Sequence, residues 1–233
     1  MSVPADFAAE FERIEVAVDA GNADLRALGF WRLLAKVKAD PALSTHWAEQ
    51  AGRIDRKAFE ARVRPRFPVW FGNLVLLVGA LAGAVAVGIA LGTADGTVSG
   101  LALVFAGLAW SVAFHSTAHW LVGRLVGIRF VAYFFGGPFP PRPGVKTDYA
   151  TYLRTSPGAR AWMHASGAVA TKLAPFLALA FWPASAAPAW AAWVLLAFGV
   201  FQIVTDALFS TKTSDWKKVG RELRAARAQA ANR

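Results

Sequence analysis

The chain has 233 residues, 56% of them hydrophobic and only 17% charged, with a mean hydropathy of +0.39. A soluble domain is typically about 45–50% apolar and about 25% charged, so this balance excludes a disordered chain or a basic nucleic-acid tail. The formal charge of +10 bears on orientation in a bilayer rather than on nucleic acid, and the absence of cysteine excludes disulfides, thiol catalysis and thiolate metal sites.

Residues 1–68 read as soluble and helical. Phe7, Phe11, Ile14 and Val18 recur at helical spacing until Gly21-Asn22 interrupts them. Leu25, Leu28, Trp31, Leu34 and Val37 form a second run, and Asp40-Pro41 supplies a cap and first-turn proline for a third helix. These stripes read as packing surfaces, and His46 among them as an ordinary surface or packing residue. The basic cluster Arg53, Arg56, Lys57, Arg62, Arg64 and Arg66 precedes the first apolar run and suits anionic headgroups. The N-terminus has no basic segment followed by an apolar one, so no cleavable signal peptide is expected.

Four runs reach the roughly 20 apolar residues that a membrane span requires: about 69–92, 99–122, 161–182 and 186–209. The expected fold is therefore an all-α integral membrane protein with four transmembrane helices in 69–209 and a basic tail over 210–233. Of the 25 Lys and Arg, 24 lie in 1–68, in the loop 123–160 or beyond 210, and the remaining one is Lys172. The short turns between spans one and two and between spans three and four hold none, which predicts cytoplasmic N- and C-termini. Compactness, the lack of targeting sequences and an Ala-, Arg- and Trp-rich composition suggest a prokaryotic inner membrane.

The loop between spans two and three differs from the other connections. Arg129 to Phe135 is β-prone and the Pro/Gly-dense stretch from Gly136 to Gly144 excludes helix, so a strand or re-entrant edge is expected there.

Ionisable residues inside spans are costly and each marks a candidate site. His115 and His119 lie in the second span, His164 at the start of the third and Asp206 near the end of the fourth. The expected topology brings all four to one depth. His115 and His119, four residues apart, share a helix face, and a carboxylate from another helix would complete a three-ligand metal site with one open position. The alternative is that both histidines serve only as hydrogen-bonding partners of backbone carbonyls. His164 could be a fourth ligand, a hydrogen-bonding partner of a ligand, a proton shuttle or an interfacial residue, and Lys172 needs a partner or must snorkel. Asn73 reads as interfacial.

The run Phe114-His115-Ser116-Thr117-Ala118-His119 followed by Leu125-Val126-Gly127-Ile128-Arg129 resembles the site-2 protease (M50 peptidase) family of intramembrane metalloproteases, in which an HExxH helix runs into such a segment. The glycine-containing loop Phe134-Phe135-Gly136-Gly137, the segment Ala165–Thr171 in place of an AGPxxN motif, and Thr205-Asp206-Ala207 in place of LDG follow in the family's order, over about 100–210. The resemblance implies that His115, His119 and Asp206 hold zinc or another divalent ion. It also exposes departures. Ser116 stands where the catalytic glutamate would be, and a serine hydroxyl cannot act as that base near neutral pH; general acid–base catalysis is worth about 10²–10⁴-fold. Ala168, Thr171 and Ala207 replace further motif residues. Of the groups that could substitute as base, His164 is better placed than Asp148, which neighbours Lys146 and reads as a loop charge.

The expected function is a metal-binding pseudoprotease that engages transmembrane or amphipathic protein clients in the bilayer, without nucleic acid. The alternatives are an active intramembrane metallohydrolase using His164 as base, a metal or proton conduit, and a purely structural subunit.

Overall fold

The computed structural model describes residues 5–136, 142–208 and 214–231. The chain divides into two compact units, each assembled from separated stretches of sequence: residues 1–69, 123–161 and 220–233 form one, and residues 70–122 and 162–219 the other. The N-terminal region thus folds together with the middle loop and the end of the chain rather than alone.

In the first unit, helices α1 (Ala5–Asp19), α2 (Phe30–Val37), α3 (Pro41–His46) and α4 (Ala48–Arg62) bury the stripes expected of them. Phe11, Ile14, Phe30, Leu34, Val37 and Ile54 are almost wholly removed from solvent, and Phe11 stacks on Trp47 with ring centroids 4.9 Å apart. The expected second run is shorter than its apolar spacing. Gly29, at φ 81°, turns the chain just before Phe30, and Asp24 accepts from the amides of Arg26 and Ala27, so residues 25–29 form turns, and Trp31 is 44% exposed. At α3 the Asp40 side chain accepts from Ala42 and Leu43 nitrogens with Pro41 in the first turn.

The β-prone loop is a strand. β2 (Phe130–Gly136) is the centre of a three-stranded antiparallel sheet, flanked by β1 (Arg66–Phe67) and β3 (Arg142–Thr147), with Tyr133 opposite both Phe67 and Val145. Part of the Pro/Gly stretch, residues 137–141, lies outside the described residues. Asp148 caps α7 (Tyr149–Arg154) by accepting from Thr151 N and pairs with Arg56 at 3.0 Å, while Lys146 reaches the buried Asp55. Both loop charges therefore have structural partners.

Within the expected basic tail, the described residues form α10 (Asp215–Ala231), and its later turns belong to this unit. Glu222 is 3% exposed and accepts from Arg160 Nε at 2.6 Å, Lys38 Nζ at 2.7 Å and the Tyr152 hydroxyl at 2.8 Å. Gln229, two turns further on, donates to the Lys38 carbonyl. Burial pulls the Lys38 ammonium down to about 8 against the opposing pull of Glu222. Burial pushes the Glu222 carboxyl up, but Lys38 and Arg160 outweigh it and hold that carboxyl below its ordinary range.

The second unit contains four helices long and apolar enough to cross a membrane: α5 (Val69–Gly92), α6 (Gly96–Leu125), α8 (Pro157–Leu179, continuing through a 3-10 turn to Ala184) and α9 (Ala189–Leu208). This is the architecture of an all-α membrane protein with a small sheet added. α6 starts earlier than hydropathy alone suggests because Asp95 accepts from Val98 N and caps it. Large apolar side chains face outward on all four helices, among them Val85, Val112, Leu173 and Phe201, as expected of a lipid-facing surface.

Between these helices the packing uses small residues. Ala86, Ala90, Ala106, Ala174, Ala178 and Ala191 surround Leu103, Trp110 and Leu195. Gly83 makes room for the Trp110 indole, which donates to the Ala80 carbonyl at 3.0 Å. Close approach of this kind suits helices in lipid, where packing replaces the hydrophobic drive.

Glu222→Ala should destabilise the protein by about 3–5 kcal/mol, because Arg160 and Lys38 would lose their shared counter-charge in a buried setting. Denaturant unfolding of detergent-solubilised protein followed by tryptophan fluorescence measures this, and an unchanged midpoint would contradict it.

Candidate metal centre

α6 places His115 and His119 one turn apart on the face that meets α8, with ring centroids 4.8 Å apart and planes nearly perpendicular. Each ring is anchored through Nδ1. His119 Nδ1 donates to the Met163 carbonyl at 2.6 Å. His115 Nδ1 donates to the Thr171 hydroxyl at 2.8 Å and lies 3.2 Å from the Gly167 carbonyl, to which Thr171 in turn donates. A carbonyl can only accept, so the proton of His119 sits on Nδ1. Because the Thr171 proton is committed to Gly167, the proton of His115 sits on Nδ1 as well.

That assignment leaves Nε2 of both rings facing the same carboxylate. Asp215 Oδ2 lies 3.2 Å from His119 Nε2 and 3.6 Å from His115 Nε2. The three donor atoms fall within 4.8 Å of one another. The other oxygen of Asp215 is engaged by Lys218 Nζ at 2.8 Å, so Oδ2 is the oxygen that meets the imidazoles. Burial pushes the Asp215 carboxyl up, but His119 and Lys218 outweigh burial and hold it well below the ordinary carboxylate range. A cation between these atoms, either a proton on an imidazole Nε2 or a metal ion, accounts for their close approach.

The residues singled out in the sequence divide into two groups. His115 and His119 meet a carboxylate, but it is Asp215 at the start of α10. Asp206, on α9, is instead the partner of Lys172, whose ammonium also donates to the Ala168 carbonyl at 3.1 Å. That pair accounts for a lysine in an apolar span without snorkelling. The His164 ring centroid is 6.3 Å from that of His119. Ser116, buried at 6% exposure, follows His115 on the same helix. Histidines held by backbone carbonyls and histidines bearing a metal are thus compatible here, because different ring nitrogens do the two jobs.

Asp215 escaped the sequence reading because it follows the last apolar run inside a segment dominated by basic residues. The signal available was local: Ser214-Asp215 opens an amphipathic pattern, and Lys217 N and Lys218 N bond back to Ser214 as at a helix start.

Gly167 is required by the site. A methyl group there would overlap the imidazole of His119, whereas a methyl at Gly88 would meet nothing. Gly167→Ala should therefore weaken divalent metal binding by roughly 10–100-fold, the range for disturbed ligand orientation, and Gly88→Ala should leave it unchanged. Competition against a chelating dye measures both, and equal affinities would contradict the packing argument.

No protein-family model, curated protein or solved structure matches the chain.

Proposed function

We propose that this protein is a site-2-protease-like integral membrane metalloprotein that holds zinc through His115 Nε2, His119 Nε2 and the carboxylate of Asp215. The observation that carries the reading is the convergence of three donor atoms within 4.8 Å, with both Nδ1 atoms already spent on α8. Metal-bound histidines characteristically donate the other ring nitrogen to a carbonyl, hydroxyl or carboxylate, which fixes ring and tautomer. A donor set of two imidazoles and a carboxylate suits zinc with an open position, and it also suits other divalent ions.

A zinc ion there would supply Lewis-acid chemistry. The chain's own residues supply orientation: Met163 and Thr171 fix the imidazoles, Gly167 leaves room for one of them, and Lys218 holds one carboxylate oxygen. Ser116 offers no base of suitable strength beside the pair, which favours a client-binding pseudoprotease over an ordinary peptidase. The charge distribution supports cytoplasmic termini, and the Ala-, Arg- and Trp-rich composition supports a prokaryotic inner membrane. One observation supports an active hydrolase as second reading: His164 lies close to His119, within reach of a base role. In that case His164→Ala would abolish cleavage of a membrane substrate and leave metal content intact.

Elemental analysis of detergent-purified protein tests the leading reading. About one zinc per chain is expected, lost in the His115→Ala/His119→Ala variant, strongly reduced in Asp215→Asn and retained in Asp206→Asn. Retention in Asp215→Asn together with loss in Asp206→Asn would transfer the third ligand to α9. No metal in any form would end the proposal.

A further inference from the structure

α10 contains two acids and five bases, and the helix sorts them by face. Asp215, Glu222 and Gln229 recur every seven residues and so lie on one side. All three are tied to other elements: Asp215 to His119, Glu222 to Arg160 and Lys38, and Gln229 to the Lys38 carbonyl. The opposite side carries Trp216, Lys217, Leu223, Arg224 and Arg227, all exposed, with Arg221 at its margin. Trp216 and Leu223, two turns apart, form an apolar ridge that the cations flank. The side chains of Lys217, Arg224 and Arg227 have no partner among the described residues. Both acids being turned inward, the outward face holds cations and apolar groups without a carboxylate.

The basic cluster before the first span suits headgroups by sequence, but most of it is committed within the protein. Arg53 and Lys57 pair with Glu15 at 2.8 and 3.2 Å, and Lys57 also pairs with Asp19 at 2.7 Å. Arg56 pairs with Asp148 at 3.0 Å and Arg62 with Asp24 at 3.7 Å. A cation with a carboxylate beside it attracts a further anion weakly. α10 offers the uncommitted charge that this cluster lacks.

The first turn of α10 fixes where its outward face begins. Asp215 meets His119 on α6, and the Lys172 ammonium of α8 lies 6.0 Å from the centre of the Trp216 ring. The helix therefore starts against two helices long and apolar enough to cross a membrane. A basic helix with tryptophan on its apolar ridge, starting at such a place, has the pattern of a helix lying at a headgroup boundary. The ridge also separates the possible anions: phospholipid offers acyl chains beside its phosphates, and nucleic acid does not.

We propose that the outward face of α10 docks on anionic phospholipid headgroups, with Lys217, Arg224 and Arg227 on the phosphates and Trp216 and Leu223 at the acyl boundary. The docking does not require the metal, since none of these five side chains is a ligand of the candidate centre. Headgroups and buried counter-charges then hold opposite faces of one helix.

The chain has no cysteine, so a nitroxide spin label on Leu223→Cys in the full-length protein reports this face alone, an apolar label standing in for the leucine. The protein is placed in nanodiscs of phosphatidylcholine with increasing phosphatidylglycerol, and collision of the label with a water-soluble nickel chelate is measured. Phosphatidylglycerol should lower the collision rate saturably, and raised salt should reverse the effect. A label on Val16→Cys, 62% exposed on α1, should not respond. Each cation near an anionic surface is worth about a fivefold preference, so Lys217→Gln/Arg224→Gln/Arg227→Gln should remove the protection. The salt reversal tests the same electrostatic claim without these substitutions if the triple variant fails to fold. Collision rates at residue 223 that ignore phosphatidylglycerol, protection that survives in the triple variant, or equal protection at residues 16 and 223 would each overturn the proposal. Protection by single-stranded RNA in pure phosphatidylcholine, without a response to phosphatidylglycerol, would overturn it in favour of nucleic acid.

Discussion

The arrangement of the site depends on two hydrogen bonds in which α6 imidazoles donate to groups on α8. His119 gives its Nδ1 proton to the Met163 carbonyl, and His115 gives its own to Thr171, whose hydroxyl is tied to Gly167. In lipid an imidazole without such a partner would be costly to bury. With it, each ring is fixed in orientation and turns its Nε2 toward Asp215. Gly167 is part of the same constraint, because only a residue without a side chain lets α8 approach the His119 ring this closely. The apolar half of the unit serves this arrangement by close alanine and glycine packing, which sets the helix separation without polar groups.

Charged groups in the second unit are handled by pairing rather than exclusion. Lys172 is matched by Asp206 and Lys218 by Asp215. The two pairs divide the carboxylates between them. Asp206 has its lysine in the span, and Asp215 keeps one oxygen directed at the histidines. The first unit uses the same rule, with Glu222 shared by Arg160 and Lys38. A buried pair adds little net stability over an apolar substitute but strongly penalises loss of one partner, so these contacts select a single arrangement of helices.

Much of this architecture was legible in the sequence because it follows from local periodicity and hydropathy. The four apolar helices reflect continuous runs of the required length, and the strand β2 reflects aromatic β-prone residues before a Pro/Gly stop. The second helix was overextended because apolar spacing through Leu25 and Leu28 cannot reveal that Gly29 turns the chain. The histidine pair was visible through its four-residue spacing. Its carboxylate was not, because pairing across the chain depends on helix packing that one-dimensional spacing does not contain. Asp206 sat in the position that the family resemblance indicated, yet Lys172 on the neighbouring helix claims it. Nor could the sequence show that residues 220–231 and the middle loop fold with the N-terminal helices, since those contacts join distant segments, Lys146 to Asp55 across 91 residues and Lys38 to Glu222 across 184.

The central claim is that both imidazoles bind one ion through Nε2 while Nδ1 stays on α8. X-ray absorption at the zinc edge of the reconstituted protein tests this most directly. The account predicts a first shell of nitrogen and oxygen only, at about 2.0–2.2 Å, with outer-shell scattering from two imidazoles. Scattering from one imidazole or none would contradict it, since the two histidines would then not share a metal.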